Sequence, residues 1–249
     1  MLRALAVLTM GTRRWSVILG HDHALTGAVA FVAVAPLLHV TGTGLLAGLV
    51  LTAGAGVLPD IDEPGSTIAR AYGFLTESFA WIVHHLSGGH RKGTHSVIGV
   101  LVFTAGAWAA VHFDHTLAGK IALGVFLSLL LSAALAALHV GGHHGDALGV
   151  GAAAAMIYFD VGLALAPLCI ALGAVAHIAG DMLTHGGCPV VYPMSREEFH
   201  LLPDGLQFTT GKVAEHWIVT PLLTAALLFL AWRDTGLASV THYLDHLVG

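Results

Sequence analysis

The stretch GLALAPLCIALGAVAHIAGDMLT, residues 162–184, reads as a membrane-crossing helix that carries a histidine and an aspartate close to its end. A helix needs about 20 mostly apolar residues to cross a hydrocarbon core. His177 and Asp181 lie four apart and so share one helix face. An ionisable group at membrane depth is costly and faces a polar cavity, a partner or a functional site. A bound cation fits this pair, and so does an interhelical hydrogen bond that only holds helices together.

The rest of the chain follows the same composition. Of 249 residues, 56% are hydrophobic and 10% charged, against roughly 25% charged in a typical soluble domain. The mean hydropathy is +0.80. Further spans fall at 24–40, 43–59, 94–112, 117–140, 147–159 and 216–232. The fifth in chain order, 147–159, is short, which leaves the count at six or seven. The predicted fold is an all-α polytopic integral membrane helix bundle, one domain over 1–249. Its parts are a lead-in over 1–20, a connection over 63–93, a long loop over 185–215 and a tail over 233–249. The lead-in lacks the apolar core and small-residue cleavage site of a signal peptide. Ile68, Tyr72, Phe74, Phe79 and Trp81 mark 63–93 as an interfacial or re-entrant helix.

A net charge of -5 gives no basic footprint for nucleic acid. Two cysteines, Cys169 and Cys188, make no disulfide framework. Charge bias sets the orientation. With the N-terminus in the cytoplasm, inner segments carry Arg3, Arg13, Arg14, Arg70, Arg91, Lys92, Arg196 and Lys212; outer ones carry Lys120 and Arg233. The same topology brings His23, Asp60, Asp62, His95 and Asp181 to the inner face of the membrane.

Four ionisable clusters sit at ends of apolar runs. Asp60-Ile61-Asp62 follows Pro59, which closes the second span. In an extended segment both carboxylates point the same way and bind one metal together or reach one each; a helix cap explains them equally. Carboxylate oxygens suit Mg²⁺, Mn²⁺ or Ca²⁺ and join mixed Zn²⁺ sites. In His90-Arg91-Lys92-Gly93-Thr94-His95-Ser96, Thr94 or Ser96 caps the third span. Arg91 and the helix N-terminus favour an anion such as phosphate, and His95 faces inward as a ligand or proton carrier. A positive-inside anchor is the plain alternative. His23 opens the first span and gains weight only beside the others. Glu215 precedes the last span, as a general base or as a residue favoured by the helix dipole. His139, His143 and His144 resemble a metal tract but fall in a Gly-rich turn and read as a loop.

The succession His23, Leu58-Pro59-Asp60-Ile61-Asp62, His90-Arg91, Thr94-His95-Ser96, His177, Asp181, Thr184, Gly187, Pro193, Gly211 and Glu215 resembles the YdjM family over roughly residues 20–220. Its members are bacterial inner-membrane proteins described as metal-dependent hydrolases, some under LexA control. The resemblance implies a multi-pass fold and a hydrolytic role.

The expected function is a membrane hydrolase with one or two divalent ions, Zn or Mn, at the cytoplasmic membrane edge. His23, Asp60, Asp62, His95, His177 and Asp181 are the expected ligands, and His90, Arg91 and Glu215 the catalytic groups. The location and Arg91 suggest a lipid or phosphoester substrate. A proton or divalent-cation transporter and a non-catalytic membrane scaffold are the rivals. A transporter needs polar residues along the whole membrane depth, and here they crowd one edge.

Overall fold

The computed structural model describes residues 15–140, 144–207, 209 and 215–234. Among the described residues eight α-helices follow in chain order: α1 Trp15–Val34, α2 Gly42–Ala55, α3 Phe74–Ser87, α4 Val97–His112, α5 Leu117–Ala137, α6 Gly145–Tyr158, α7 Ala166–Asp181 and α8 Thr220–Asp234. Short 3₁₀ turns continue several of them. Among the described residues the extended chain amounts to one isolated bridge between Cys188 and Phe199. Four helical stretches are long and apolar enough to cross a membrane: Gly20–Leu38, Gly42–Asp62, Leu117–Ala137 and Leu163–Asp181. Val97–His112, Gly145–Tyr158 and Trp217–Arg233 are shorter apolar helices.

Prolines punctuate these runs where the sequence places them. Pro36 and Pro59 each open a 3₁₀ turn at the end of a helical stretch, and Pro167 sits in the first turn of α7, where no amide donor is missed. Ser96 caps α4 by accepting from the Gly99 amide at 3.2 Å, and Thr116 caps α5 by accepting from Gly119 at 2.9 Å.

α1, α2, α5 and α7 form the centre. Phe31, Leu51, Leu123, Leu127, Leu130 and Ile170 are fully buried there. Small residues let the backbones approach. A side chain on Gly173 of α7 would meet the Thr52 carbonyl of α2 at 2.7 Å, and one on Gly56 would collide with the His23 carbonyl of α1. Close approach through glycine is how helices gain packing in a bilayer, where apolar burial alone offers no drive. Outward faces carry Leu101, Val102, Ile121, Val125, Leu148 and Leu222, all exposed, as helices bathed in lipid require.

The connection over 63–93 divides in two. Residues 63–73 form turns tucked under the bundle, with Ile68 and Ala69 fully buried and the Tyr72 hydroxyl 2.9 Å from Ser132 Oγ on α5. Only 74–87 is helical. α3 exposes Phe74, Leu75, Phe79, Trp81, Ile82 and Leu86 and buries Thr76 and Ala80. The loop after α7 packs back on the start of α4, where the Val97 amide donates to the Val190 carbonyl at 2.9 Å.

Candidate metal centre

The His23 turn of α1, the ends of α2 and α7 and the approach to α4 meet at one rim of the bundle; His23 lies inside the helix Trp15–Val34 rather than at its opening. Each of these elements supplies an ionisable side chain removed from solvent. His95, His177 and Asp62 are fully buried, Asp181 is 1% exposed and His23 8%.

His95 and His177 define the centre. Their Nε2 atoms lie 3.1 Å apart. The opposite nitrogens fix what these atoms carry. His177 Nδ1 is 2.7 Å from the Gly56 carbonyl, which only accepts, so Nδ1 holds the proton. Thr94 spends its single hydroxyl proton on Asp62 Oδ2, and His95 Nδ1 lies 3.0 Å from the same hydroxyl oxygen. His95 Nδ1 is therefore the donor there. In their neutral forms both imidazoles then turn a lone pair inward, each toward the other. Two carboxylates close around them. Asp60 Oδ1 is 3.6 Å from each Nε2, and Asp181 Oδ2 is 3.5 Å from each. Four Lewis bases facing one point need a positive charge between them. Ligand atoms of His95, His177 and Asp181 lie within 4.8 Å of one another, and the five separations given are close to the roughly 3.4 Å edge of a tetrahedron of N and O ligands with bonds of about 2.1 Å. The donor set therefore fits a divalent ion.

The surroundings hold the inner groups in place. Asp181 Oδ1 accepts from Arg91 Nη2 at 2.7 Å, with His23 Nε2 at 3.5 Å, so its other oxygen is left for the centre. Arg91 reaches this position from a left-handed backbone, φ 55°, a conformation a non-glycine residue adopts at a cost. The His23 ring stacks on His177 with centroids 3.7 Å apart. Ligand atoms of His23, Asp60 and His177, and likewise of Asp60, His90 and His95, lie within 4.8 Å of one another. Each of these groups shares Asp60 and one inward imidazole nitrogen with the centre, so the rim offers alternative ligand sets around the same ion. The buried Cys188 thiol points its sulfur at Asp181 Oδ2, 3.9 Å away. Burial, then the Asp181 charge, pushes its pKa up, which keeps it a thiol.

Asp60 and Asp62 do not point the same way. Pro59–Asp62 is a 3₁₀ turn rather than extended chain, and side chains two apart in such a turn diverge by about 120°. Asp60 faces His95 and His177. Asp62 faces Thr94 and the His90 Nδ1, 2.8 Å away. Burial works against a charged His90, yet its hydrogen bond to Asp62, with Asp60 adding, raises its pKa above the ordinary 6.5.

Other expected groups stand further off. Thr184 donates to the backbone carbonyl of Asp181 at 2.7 Å rather than to its side chain. α7 ends at Asp181, so the exposed His185 is not carried round to the same face. Glu215 opens a π-helical turn, Glu215–Val219; its side chain lies outside the described residues, as does His143. His139 and His144 are exposed.

Two residues escaped the sequence reading. Thr94, read as a cap, is the link between Asp62 and His95. Asp22 is 6% exposed; its Oδ1 accepts from Thr220 at 2.6 Å and its Oδ2 has no partner. It lines a cavity of about 210 Å³ with His23 and Asp181. The signal was present in His21-Asp22-His23, a carboxylate inside an apolar run.

The family model described as "YdjM inner membrane protein" fits residues 18–244. No curated protein and no solved structure gave a significant match.

Proposed function

We propose that this chain, which belongs to the YdjM family of inner membrane proteins, is a metal-dependent hydrolase of phosphoesters at the membrane edge. The observation that carries the reading is the pair of imidazole lone pairs 3.1 Å apart, flanked by Asp60 and Asp181. His95, His177, Asp60 and Asp181 are the proposed ligands. His23 is an alternative ligand for the same ion. Zinc and manganese suit this mixed nitrogen and oxygen set. A divalent ion in such a site polarises a phosphoryl oxygen and lowers the pKa of bound water.

The chain's own groups supply the rest. Asp62 orients His95 through Thr94, the kind of outer partner that fixes a ligand's tautomer. His90, hydrogen-bonded through Nδ1 to Asp62, holds a proton for the departing ester oxygen at Nε2. Arg91 holds one oxygen of Asp181, and its remaining N–H donors are available to a phosphate. Glu215 is the proposed second proton carrier. By the positive-inside bias of the loops, the site faces the cytoplasm.

Purified in detergent, the protein should retain divalent metal and cleave bis(4-nitrophenyl) phosphate, and both a chelator and Asp60→Ala should abolish cleavage. Activity that survives complete metal removal and Asp60→Ala contradicts the proposal. The buried charges suit a site better than an ion path. Asp22, His23, Asp62, His95, His177 and Asp181 cluster at one rim, while the buried polar groups of α5 are Ser128 and Ser132.

A further inference from the structure

Two hollows of opposite character meet beside the rim. One is a cleft of about 160 Å³ whose polar lining includes His90, Arg91, Lys92, Arg196 and Glu198. The other is a groove of about 700 Å³ between α3 and α4, walled by Phe79, Val83 and Leu86 on one side and Ile98, Val102 and Phe103 on the other. Tyr192 lines both. Thr94 lines the groove and also hydrogen-bonds Asp62 and His95, so the head of the groove abuts the candidate metal centre.

We infer that cleft and groove form one site for a phospholipid, with its phosphate in the cationic cleft and an acyl chain along α3 and α4. This rests on the hydrolytic reading above and names its substrate class. Three features point to this occupant. The cleft sets three cations against one carboxylate. Lys92 gives one proton to the Gly88 carbonyl at 2.8 Å and keeps two more, and Arg91 uses one of its donors on Asp181, so both can also bind an anion. The groove is polar only near Ser87, Thr94 and Ser96. From there it runs between helices whose outward faces are apolar: Phe79, Ile82 and Leu86 on α3 and Ile98, Leu101 and Val102 on α4 are exposed. A soluble phosphate ester would use the cleft and leave the groove without a role. An acylated phosphate fills both, with the charged end beside His90 and Arg91.

The test uses the full chain in nanodiscs of phosphatidylcholine containing trace phosphatidic acid with a photoreactive diazirine on its acyl chain. Irradiation followed by peptide mapping should place the label on Phe79–Leu86 and Ile98–Phe103, severalfold above Ile121 and Val125 of α5. Unlabelled phosphatidic acid should compete, and diacylglycerol should not. Arg196→Gln should lower groove labelling about fivefold, the effect of one cation beside an anionic headgroup. Val102→Trp, at an exposed position, should block the groove. Label spread evenly over α3, α4 and α5, unchanged by Arg196→Gln, overturns the inference. If bis(4-nitrophenyl) phosphate is then still cleaved in a metal-dependent way, the hydrolase reading stands without it. Focused, competed labelling supports the lipid site even if no phosphoester is cleaved, and in that case the hydrolase reading falls.

Discussion

Two histidine-rich regions of this chain have opposite fates. At the rim, His23, His95 and His177 are buried and face Asp60 and Asp181, the five side chains coming from four separate elements. In the turn between α5 and α6, His139 and His144 are exposed. The second region is the denser in sequence. Density of imidazoles along the chain therefore says little. What separates the two is whether separate elements deliver carboxylates and carbonyls that dictate which ring nitrogen turns inward. Gly56 does this for His177, and Thr94 with Asp62 does it for His95.

The comparison can be broken most easily at its centre. His95→Gln with His177→Gln should remove bound metal and lower phosphoester cleavage by more than about 100-fold, beyond the usual cost of losing an outer-shell partner. Retained metal, measured by elemental analysis after desalting, would move the centre elsewhere. A sharper cut is Thr94→Val, which leaves every proposed ligand in place and removes only the link between Asp62 and His95. Metal affinity should fall about 10- to 100-fold, and Thr94→Ser should restore most of it. Unchanged metal affinity in Thr94→Val with a loss in Thr94→Ser would mean that Thr94 acts through packing alone.

Stability gives a smaller signal. Arg91→Gln deprives Asp181, 1% exposed, of its shortest partner. The metal-free protein should lose about 2 kcal/mol, as for a hydrogen bond to a charged group, read as a lower melting temperature. Bound metal should reduce that loss, since an ion neutralises the same carboxylate. At the other end of the scale, His139→Ala with His144→Ala should leave metal content, activity and melting temperature unchanged. Loss of metal in that double variant would erase the contrast between the two regions.

Much of this arrangement was legible in the sequence, for identifiable reasons. Apolar runs of about 20 residues announce themselves, and every span read from them is occupied by a helix. Topology then places the ends of α2 and α7 and the start of α4 on one side, which groups Asp60, His95 and Asp181 from the sequence alone. Less legible was what depends on local backbone. Extended and 3₁₀ conformations after Pro59 differ by about 150° in ψ, and the choice, which the residues Asp60-Ile61-Asp62 do not fix by themselves, sends Asp60 and Asp62 to different partners. The connection 63–93 carries apolar residues on both sides of Gly73, so composition alone does not separate the buried turns at Ile68 and Ala69 from the α3 helix. Thr94 and Asp22 carry short side chains that also suit caps and interfaces, and only neighbours distant in sequence, Asp62 for Thr94 and Thr220 for Asp22, give them other roles.

The central claim is that the inward nitrogens of His95 and His177, with Asp60 and Asp181, grip a divalent ion. X-ray absorption at the zinc edge on zinc-loaded, desalted protein tests it most directly. The account predicts a shell of nitrogen and oxygen at about 2.0–2.2 Å with imidazole scattering, lost in the His95→Gln, His177→Gln variant. A protein that holds no zinc after desalting, or a spectrum without imidazole that is unchanged in the variant, would contradict it.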